Sequence, residues 1–117
     1  MDSIFIAASG MLSAQRRFEI GAHNVANLVT PGFQSLRANS VELPGGGAAV
    51  ASVTRNSPER AELPSAPAFP EGILPPSDVN LATEQVNSIL NREAFRANIN
   101  VLRAQDEMIG ELLDLSE

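Results

Sequence analysis

Two long helical patterns at the ends of the chain, separated by a proline-rich middle, constrain its fold most. Seven of the eight prolines lie between Pro44 and Pro76. Proline lacks a backbone N–H and is excluded from helix interiors. The 117 residues form at most one small domain. The pattern therefore predicts a mainly α chain with a helix at each end and a middle of hairpin and extended structure.

The N-terminal pattern predicts a helix over about residues 3–27 with one stripe of larger and smaller side chains. The larger ones recur every seven residues, at Ile4, Met11, Phe18 and Val25. The intervening stripe positions are Ala7, Ala14, Gly21 and Leu28. Because most of these are small, they permit close approach to another helix. The heptad spacing favours a coiled-coil partner.

The C-terminal pattern predicts a second helix over about residues 80–115, capped by Asn80. Its first apolar row comprises Leu90, Ala94, Ala97, Val101, Ala104, Met108, Leu112 and Leu115, and its second row comprises Phe95, Leu102 and Ile109. We expect this helix to form an antiparallel coiled-coil pair with the first. The band is wider than one partner helix covers, and apolar patches left exposed usually mark an interface.

The middle of the chain predicts a β-hairpin followed by a connector. Residues 34–43 and 48–55 are β-prone, and the Gly-rich stretch at 44–47 between them suits a turn. Residues 57–76 are rich in proline and predict an extended, polyproline-like connector. The chain thus divides into segments 1–33, 34–77 and 78–117.

The residue inventory offers little for catalysis or metal binding. There is no cysteine, and His23 is the sole histidine. A nucleophilic or metal site needs partners that this inventory lacks. We therefore expect no catalytic residue, no cofactor and no metal. The net charge of −6 also disfavours nucleic-acid binding, which needs clustered cations.

The first residues, MDSIFIAASGMLSAQRRF, lack the basic start of a secretory signal. No run of 18 apolar residues follows anywhere in the chain, so no membrane span is expected. If the protein leaves the cytoplasm, we expect a route other than a cleaved signal.

The stretch NVANLVTPGF, residues 24–33, ends the first helical pattern. Asn24 and Asn27 lie one helical turn apart. Their amides either bind the backbone of a crossing segment or cap the free carbonyls of the helix end. Residues 30–33, Thr-Pro-Gly-Phe, predict a type II turn, in which Gly32 takes a positive φ. We expect Phe33 to fold back as an anchor.

Two signatures give the chain a family resemblance. AASGM at 7–11 followed by NVANLVTPGF resembles the N-terminal signature of bacterial flagellar axial proteins, the rod and hook subunits. The stretch from Asp78 to Leu115, with Arg-Ala-Asn at 96–98, is similar to their C-terminal signature. The signature residues are Asn24, Asn27, Thr30, Gly32, Phe33, Arg96 and Asn98.

The resemblance implies a non-enzymatic structural subunit of the basal-body rod, closest to the proximal-rod branch. In that family the rod lies in the periplasm and transmits motor torque. The implied partners are other rod subunits, copies of the chain itself and the flagellar type III export apparatus, with no cleaved signal peptide. The alternative is a soluble helical-hairpin adaptor or an export-chaperone-like binding module. A small hydrolase using His23 or the acidic residues is a remote third hypothesis.

Overall fold

The computed structural model describes residues 2–56, 70 and 72–115. Its elements are helix α1 at Asp2–Ala26, strand β1 at Leu36–Glu42, strand β2 at Ala48–Arg55 and helix α2 at Leu81–Asp114. The prediction of a mainly α chain with two helices and a small antiparallel hairpin is confirmed. Most of the predicted extended connector, residues 57–69 and 71, lies outside the described residues. The three-segment division stays a prediction.

Helix α2 begins at the predicted cap. Asn80 has extended backbone angles, and its Oδ1 accepts a hydrogen bond from the Thr83 N–H at 3.2 Å. Glu84 places a negative charge in the first turn, where the helix dipole favours it. The last turn contains no basic residue. The two ends of α2 therefore differ. A negative charge stabilises the N-terminal end, whereas no positive charge in the last turn offsets the dipole at the C-terminal end.

The hairpin pairs β1 with β2 from Leu36 opposite Arg55 to Glu42 opposite Ala48. The register shifts once, between Asn39 and Ser40. Gly46 and Gly47 have φ of 83° and 95°, a backbone region that residues with a Cβ rarely adopt. The Gly-rich stretch is thus the hairpin turn that the sequence predicts.

The predicted turn after α1 is also present. The Phe33 N–H donates to the Thr30 carbonyl at 3.2 Å, and Gly32 has φ of 75°. These are the hydrogen bond and the positive φ of a type II turn. Phe33 folds back toward α1, and its ring lies 5.6 Å from that of His23 in an edge-to-face contact.

The two helices lie side by side in opposite directions. Gly10 faces Asn98, and Gly21 faces Glu84. A Cβ on Gly10 would lie 2.7 Å from the Asn98 Oδ1, closer than a Cβ normally approaches another atom. Gly21, a member of the predicted stripe, and Gly10 beside the stripe therefore let side chains of α2 lie close to the backbone of α1. The finer expectation of coiled-coil geometry stays a prediction.

The core is thin and lies along α1. The buried described residues are Ala7, Ser13, Ala14, Ile20, Asn24, Ser35 and Val79. The chain is elongated, with extents of 78 × 26 × 18 Å. Neither of the helices that the structure describes has an apolar run sufficient for a membrane crossing.

Candidate assembly surface

Asn24 joins three elements of the fold at the end of α1. It is only 1% exposed. Its Oδ1 accepts from the Leu36 N–H at 2.7 Å, and its Nδ2 donates to the Leu36 carbonyl at 2.9 Å. The same Nδ2 donates to the Glu84 carboxylate at 2.9 Å. One side chain therefore fixes the start of β1 and the first turn of α2 against α1.

The two asparagines of the motif take different roles. Asn24 binds the backbone of the crossing strand. The Asn27 Nδ2 donates instead to the His23 carbonyl at 2.9 Å and so caps the helix end. The sequence left two roles open, binding the backbone of a crossing segment and capping the helix end. Asn24 has the first role and Asn27 has the second.

Asp78 joins the open end of the hairpin to the start of α2. Its Oδ1 accepts from the Ser35 N–H at 2.6 Å, and its Oδ2 accepts from the Asn56 amide at 3.0 Å. Its own N–H donates to the Phe33 carbonyl at 3.3 Å. From the sequence, Asp78 is identified only as the first residue of the C-terminal signature. These contacts join residues far apart in the chain, and no local pattern signals them.

The two signature segments meet across the helix pair. In the first, the Ser9 Oγ accepts from the Ala48 N–H at 3.3 Å, which attaches the hairpin to α1. The next residue, Gly10, leaves room for Asn98 of the second signature. The Asn98 Nδ2 donates to the Ala94 carbonyl at 2.8 Å, within α2. Ser9 is a positioning residue that sequence reasoning missed.

The predicted stripe of α1 splits into two parts. Ala7 and Ala14 are buried. Ile4, Phe18 and Val25 are exposed, and Met11 is half-buried. The small residues therefore form the seam against α2, whereas most of the large ones lie beside it.

In α2 no residue is buried. The half-buried positions recur every three or four residues, and five of the nine are polar. They are Glu84, Ser88, Asn91, Ala94, Phe95, Asn98, Ile99, Leu102 and Gln105. Since Glu84 and Asn98 lie against glycines of α1, this mostly polar row is the face that meets α1. Among the described elements, α2 packs against α1 and against neither strand.

The predicted apolar row of α2 lies mostly away from α1. We call its exposed members beside α1 the outer stripe; they are Leu90, Ala97, Val101 and Ala104. Met108, Leu112 and Leu115 are also exposed, but they lie beyond the end of α1. Of the other predicted packing residues, Ile109 is exposed, whereas Ala94, Phe95 and Leu102 are half-buried. The described part of the chain thus leaves much of the apolar surface of α2 uncovered.

A second uncovered region lies between the helices, on the side opposite the hairpin. We call it the open groove. Its main lining residues are Ala14, Phe18 and Val25 of α1, and Ile89, Arg92 and Phe95 of α2. The hairpin covers the other side, where Leu36 lies near Ile20 and Asn24. The open groove is therefore a mainly apolar channel, with Glu84 at one end and Arg92 beside Phe95 at the other.

The signature and candidate chemical residues also have packing roles or exposed positions. Arg96 lies 3.3 Å from Glu93 on the exposed side of α2. The His23 ring contacts Phe33. Glu19, which the sequence places near His23, accepts hydrogen bonds from Gln15 and Arg16 instead. In the part of the chain that the structure describes, no group of three potential metal ligands converges.

An elongated helix pair with an exposed apolar stripe is typical of subunits that complete their core on assembly. Residues 71–115 match the family described as "Flagellar basal body rod FlgEFG protein C-terminal". The match contains the whole of α2 and less than half of the chain. It confirms the flagellar rod-family resemblance for this C-terminal part. No curated protein matches the chain. The match supports a structural, rod-type component of the flagellar basal body.

Proposed function

We propose that the chain is a structural subunit of the flagellar basal-body rod, of the proximal type conventionally lettered C. In this proposal its terminal helices pair as an antiparallel coiled coil and assemble into the axial drive shaft that transmits torque for motility. The observation that carries the proposal is the orientation of α2. Its polar row faces α1, and its outer stripe faces outward.

The orientation of α2 is the reverse of that in a self-sufficient helical hairpin. An isolated amphipathic helix normally turns its apolar face toward the core. Here Leu90 and Val101, which lie in the stretch where α1 runs beside α2, remain exposed. Burying one such side chain contributes roughly 1.5–3 kcal/mol. Neighbouring subunits that cover the outer stripe would therefore supply much of the stability that this thin core lacks.

The proposal also includes a cellular location for the subunit and a route of export. The subunit lies in the periplasmic part of the basal body, and the flagellar type III export apparatus delivers it without cleavage of a signal. Its partners are copies of itself and other rod subunits. The elongated shape, 78 Å in its longest dimension, suits a shaft component. The proposal gives the chain no catalytic role.

A substitution on the outer stripe tests this function. A strain that lacks the gene is complemented with the wild-type chain, with Val101→Glu or with the neighbouring Asn100→Glu, which adds the same charge outside the outer stripe. We expect Val101→Glu to abolish motility and incorporation into isolated basal bodies. Asn100→Glu should support normal swimming. Helix content of both purified variants checks that folding is retained.

Two results would contradict the proposal. The first is normal motility of the strain with Val101→Glu. The second is recovery of the wild-type chain outside basal bodies, in a soluble complex with one helical partner. That second result would favour the adaptor or chaperone-like alternative.

A further inference from the structure

We infer that the open groove binds the C-terminal end of α2 from a second copy of this chain. We call that end, residues 106–114, the C-terminal overhang. The inference rests on the proposed function and deepens it, because it names one partner and the surface that the partner occupies. The contact joins the side of one subunit to the tip of the next.

The C-terminal overhang is free to reach a neighbour because it extends beyond α1. The antiparallel register places Gly10 near Asn98 and Gly21 near Glu84. Continuing this register, the first residues of α1 lie close to Gln105, which is the last half-buried position of α2. Every described residue from 106 onward is exposed. Within the described residues, this end of α2 therefore has no helix beside it.

The C-terminal overhang and the open groove have matching apolar surfaces. On the C-terminal overhang, Met108, Ile109 and Leu112 are 48%, 46% and 67% exposed. In the open groove, Phe18 is 47% exposed and stands beside Phe95. If the C-terminal overhang of a second copy lay in the open groove, the apolar side chains of both surfaces would be covered. This is the helix-in-groove mode of recognition.

The charges of the two surfaces are complementary. The C-terminal overhang carries Asp106, Glu107, Glu111 and Asp114 and no basic residue. Arg92 stands on the rim of the open groove. It lies 4.0 Å from Glu93, but such an exposed pair is weak and leaves the guanidinium available. Carboxylates near the C-terminal end of a helix interact unfavourably with the helix dipole. Contact with Arg92 of the other copy would offset this effect.

The contact has to join two copies. Arg92 and Leu112 are separated along one helix by about 30 Å, given the rise of 1.5 Å per residue. The C-terminal overhang therefore does not reach the open groove of its own chain without breaking α2. Contacts between two different surfaces of identical subunits are heterologous, and they generate open filaments when the rotation does not close. The inferred contact is thus compatible with growth of a shaft.

Cross-linking between introduced cysteines tests the inference, because the natural chain has none. One preparation carries Gln15→Cys at the open groove, and another carries Gly110→Cys on the C-terminal overhang. Both substitutions leave the apolar side chains and the acidic residues in place. The mixture is oxidised and the disulfide-linked dimer is measured. The control mixture replaces Gln15→Cys by Thr54→Cys on the exposed hairpin.

We expect at least tenfold more dimer from the groove mixture than from the hairpin control. Adding Arg92→Glu to the groove preparation should lower the yield about fivefold, the effect of roughly 1 kcal/mol from a rim charge. Arg55→Glu, an equal charge change on β2, should leave the yield unchanged. A groove mixture that gives no more dimer than the control would overturn the inference.

The same cysteines, tested in isolated basal bodies, separate the inference from the proposed function. A chain that enters basal bodies but whose position 110 cross-links to a different protein would refute the second copy as partner, while the rod function stands. A chain that fails to enter basal bodies would refute the function itself.

Discussion

Helix α1 and helix α2 differ in how much of their surface the rest of the chain covers. The shorter helix, α1, contacts α2 and both strands, and it contains most of the buried residues. The longer helix, α2, contacts α1 alone among the described elements and buries none of its residues. Most of the buried surface of α1 is thus covered by other elements of the same chain, although the buried Ser13 Oγ has no hydrogen-bond partner within the described part of the chain. The contacts of α2 with α1 leave much of its apolar surface exposed.

The difference follows from the residues at the seam. Ala7, Gly10, Ala14 and Gly21 give α1 a flat side against which side chains of α2 lie closely. That space is filled by polar residues such as Asn98 together with Phe95 and Leu102, which are half-buried. The outer stripe lies on the other side of α2.

The largest expected effect is at Asn24. Replacement by leucine, Asn24→Leu, removes both hydrogen bonds to the Leu36 backbone and leaves its N–H and carbonyl without those partners. Each lost partner costs about 1–3 kcal/mol, so we expect a loss of about 2–6 kcal/mol in the free energy of unfolding. Urea unfolding followed by circular dichroism measures it.

Asn27→Ala is the matched control for that substitution. Asn27 donates to the His23 carbonyl and accepts from the Thr30 hydroxyl, both at an exposed helix end. We expect a loss of about 0.5–1 kcal/mol, the ordinary net value of such a bond. Equal losses from Asn24→Leu and Asn27→Ala would show that the junction at Asn24 does not stabilise the fold.

Substitutions at Gly10 and Gly110 compare the contact between the two helices with the exposed end of α2. Gly10 has the Asn98 side chain against it, whereas Gly110 has no atom within 4 Å of an added Cβ. We expect Gly10→Val to lower the free energy of unfolding by about 1 kcal/mol, because the end of the Asn98 side chain must move and lose its hydrogen bond to the Ala94 carbonyl. Gly110→Val should leave it within about 0.5 kcal/mol, because valine is no worse than glycine in a helix.

Denaturant unfolding of both glycine variants measures the difference. Adding Asn98→Ala to Gly10→Val should recover part of the loss, since it removes the side chain that clashes. If Gly10→Val and Gly110→Val are equally tolerated, the two helices do not make the close contact described here.

The smallest effect is expected at the last residue of α2. Asp114 places a negative charge at a helix C-terminus, where no basic residue compensates. We expect Asp114→Asn to stabilise the isolated chain by about 0.3–1 kcal/mol at low ionic strength. Asp106→Asn should do less, because the dipole acts mainly within the last turn. A gain that persists unchanged in high salt would contradict the electrostatic cause.

Much of the local structure could be predicted from the sequence. The Asn80 cap, the glycine-rich hairpin turn and the turn around Gly32 depend on residues near one another in the chain. Helix periodicity likewise gave both helices to within about two residues of their ends. Such features need no knowledge of tertiary packing.

The face that α2 turns to α1 could not be predicted in the same way. Periodicity identifies an apolar row but does not say whether its partner belongs to the same chain. The contacts of Ser9 and Asp78 could not be predicted either, because each joins groups far apart in the sequence. The assembly roles of the packing and signature residues remain predictions.

Hydrogen exchange, compared between α1 and α2, tests the central claim most directly. Amide exchange is measured by mass spectrometry on the purified chain in dilute solution and on the chain within isolated basal bodies. We expect amides 7–24 to be protected in both samples. Amides 100–114 should exchange rapidly in dilute solution and at least a hundredfold more slowly after assembly. Full protection of residues 100–114 in the dilute chain would contradict the account, because it would mean that α2 needs no neighbour.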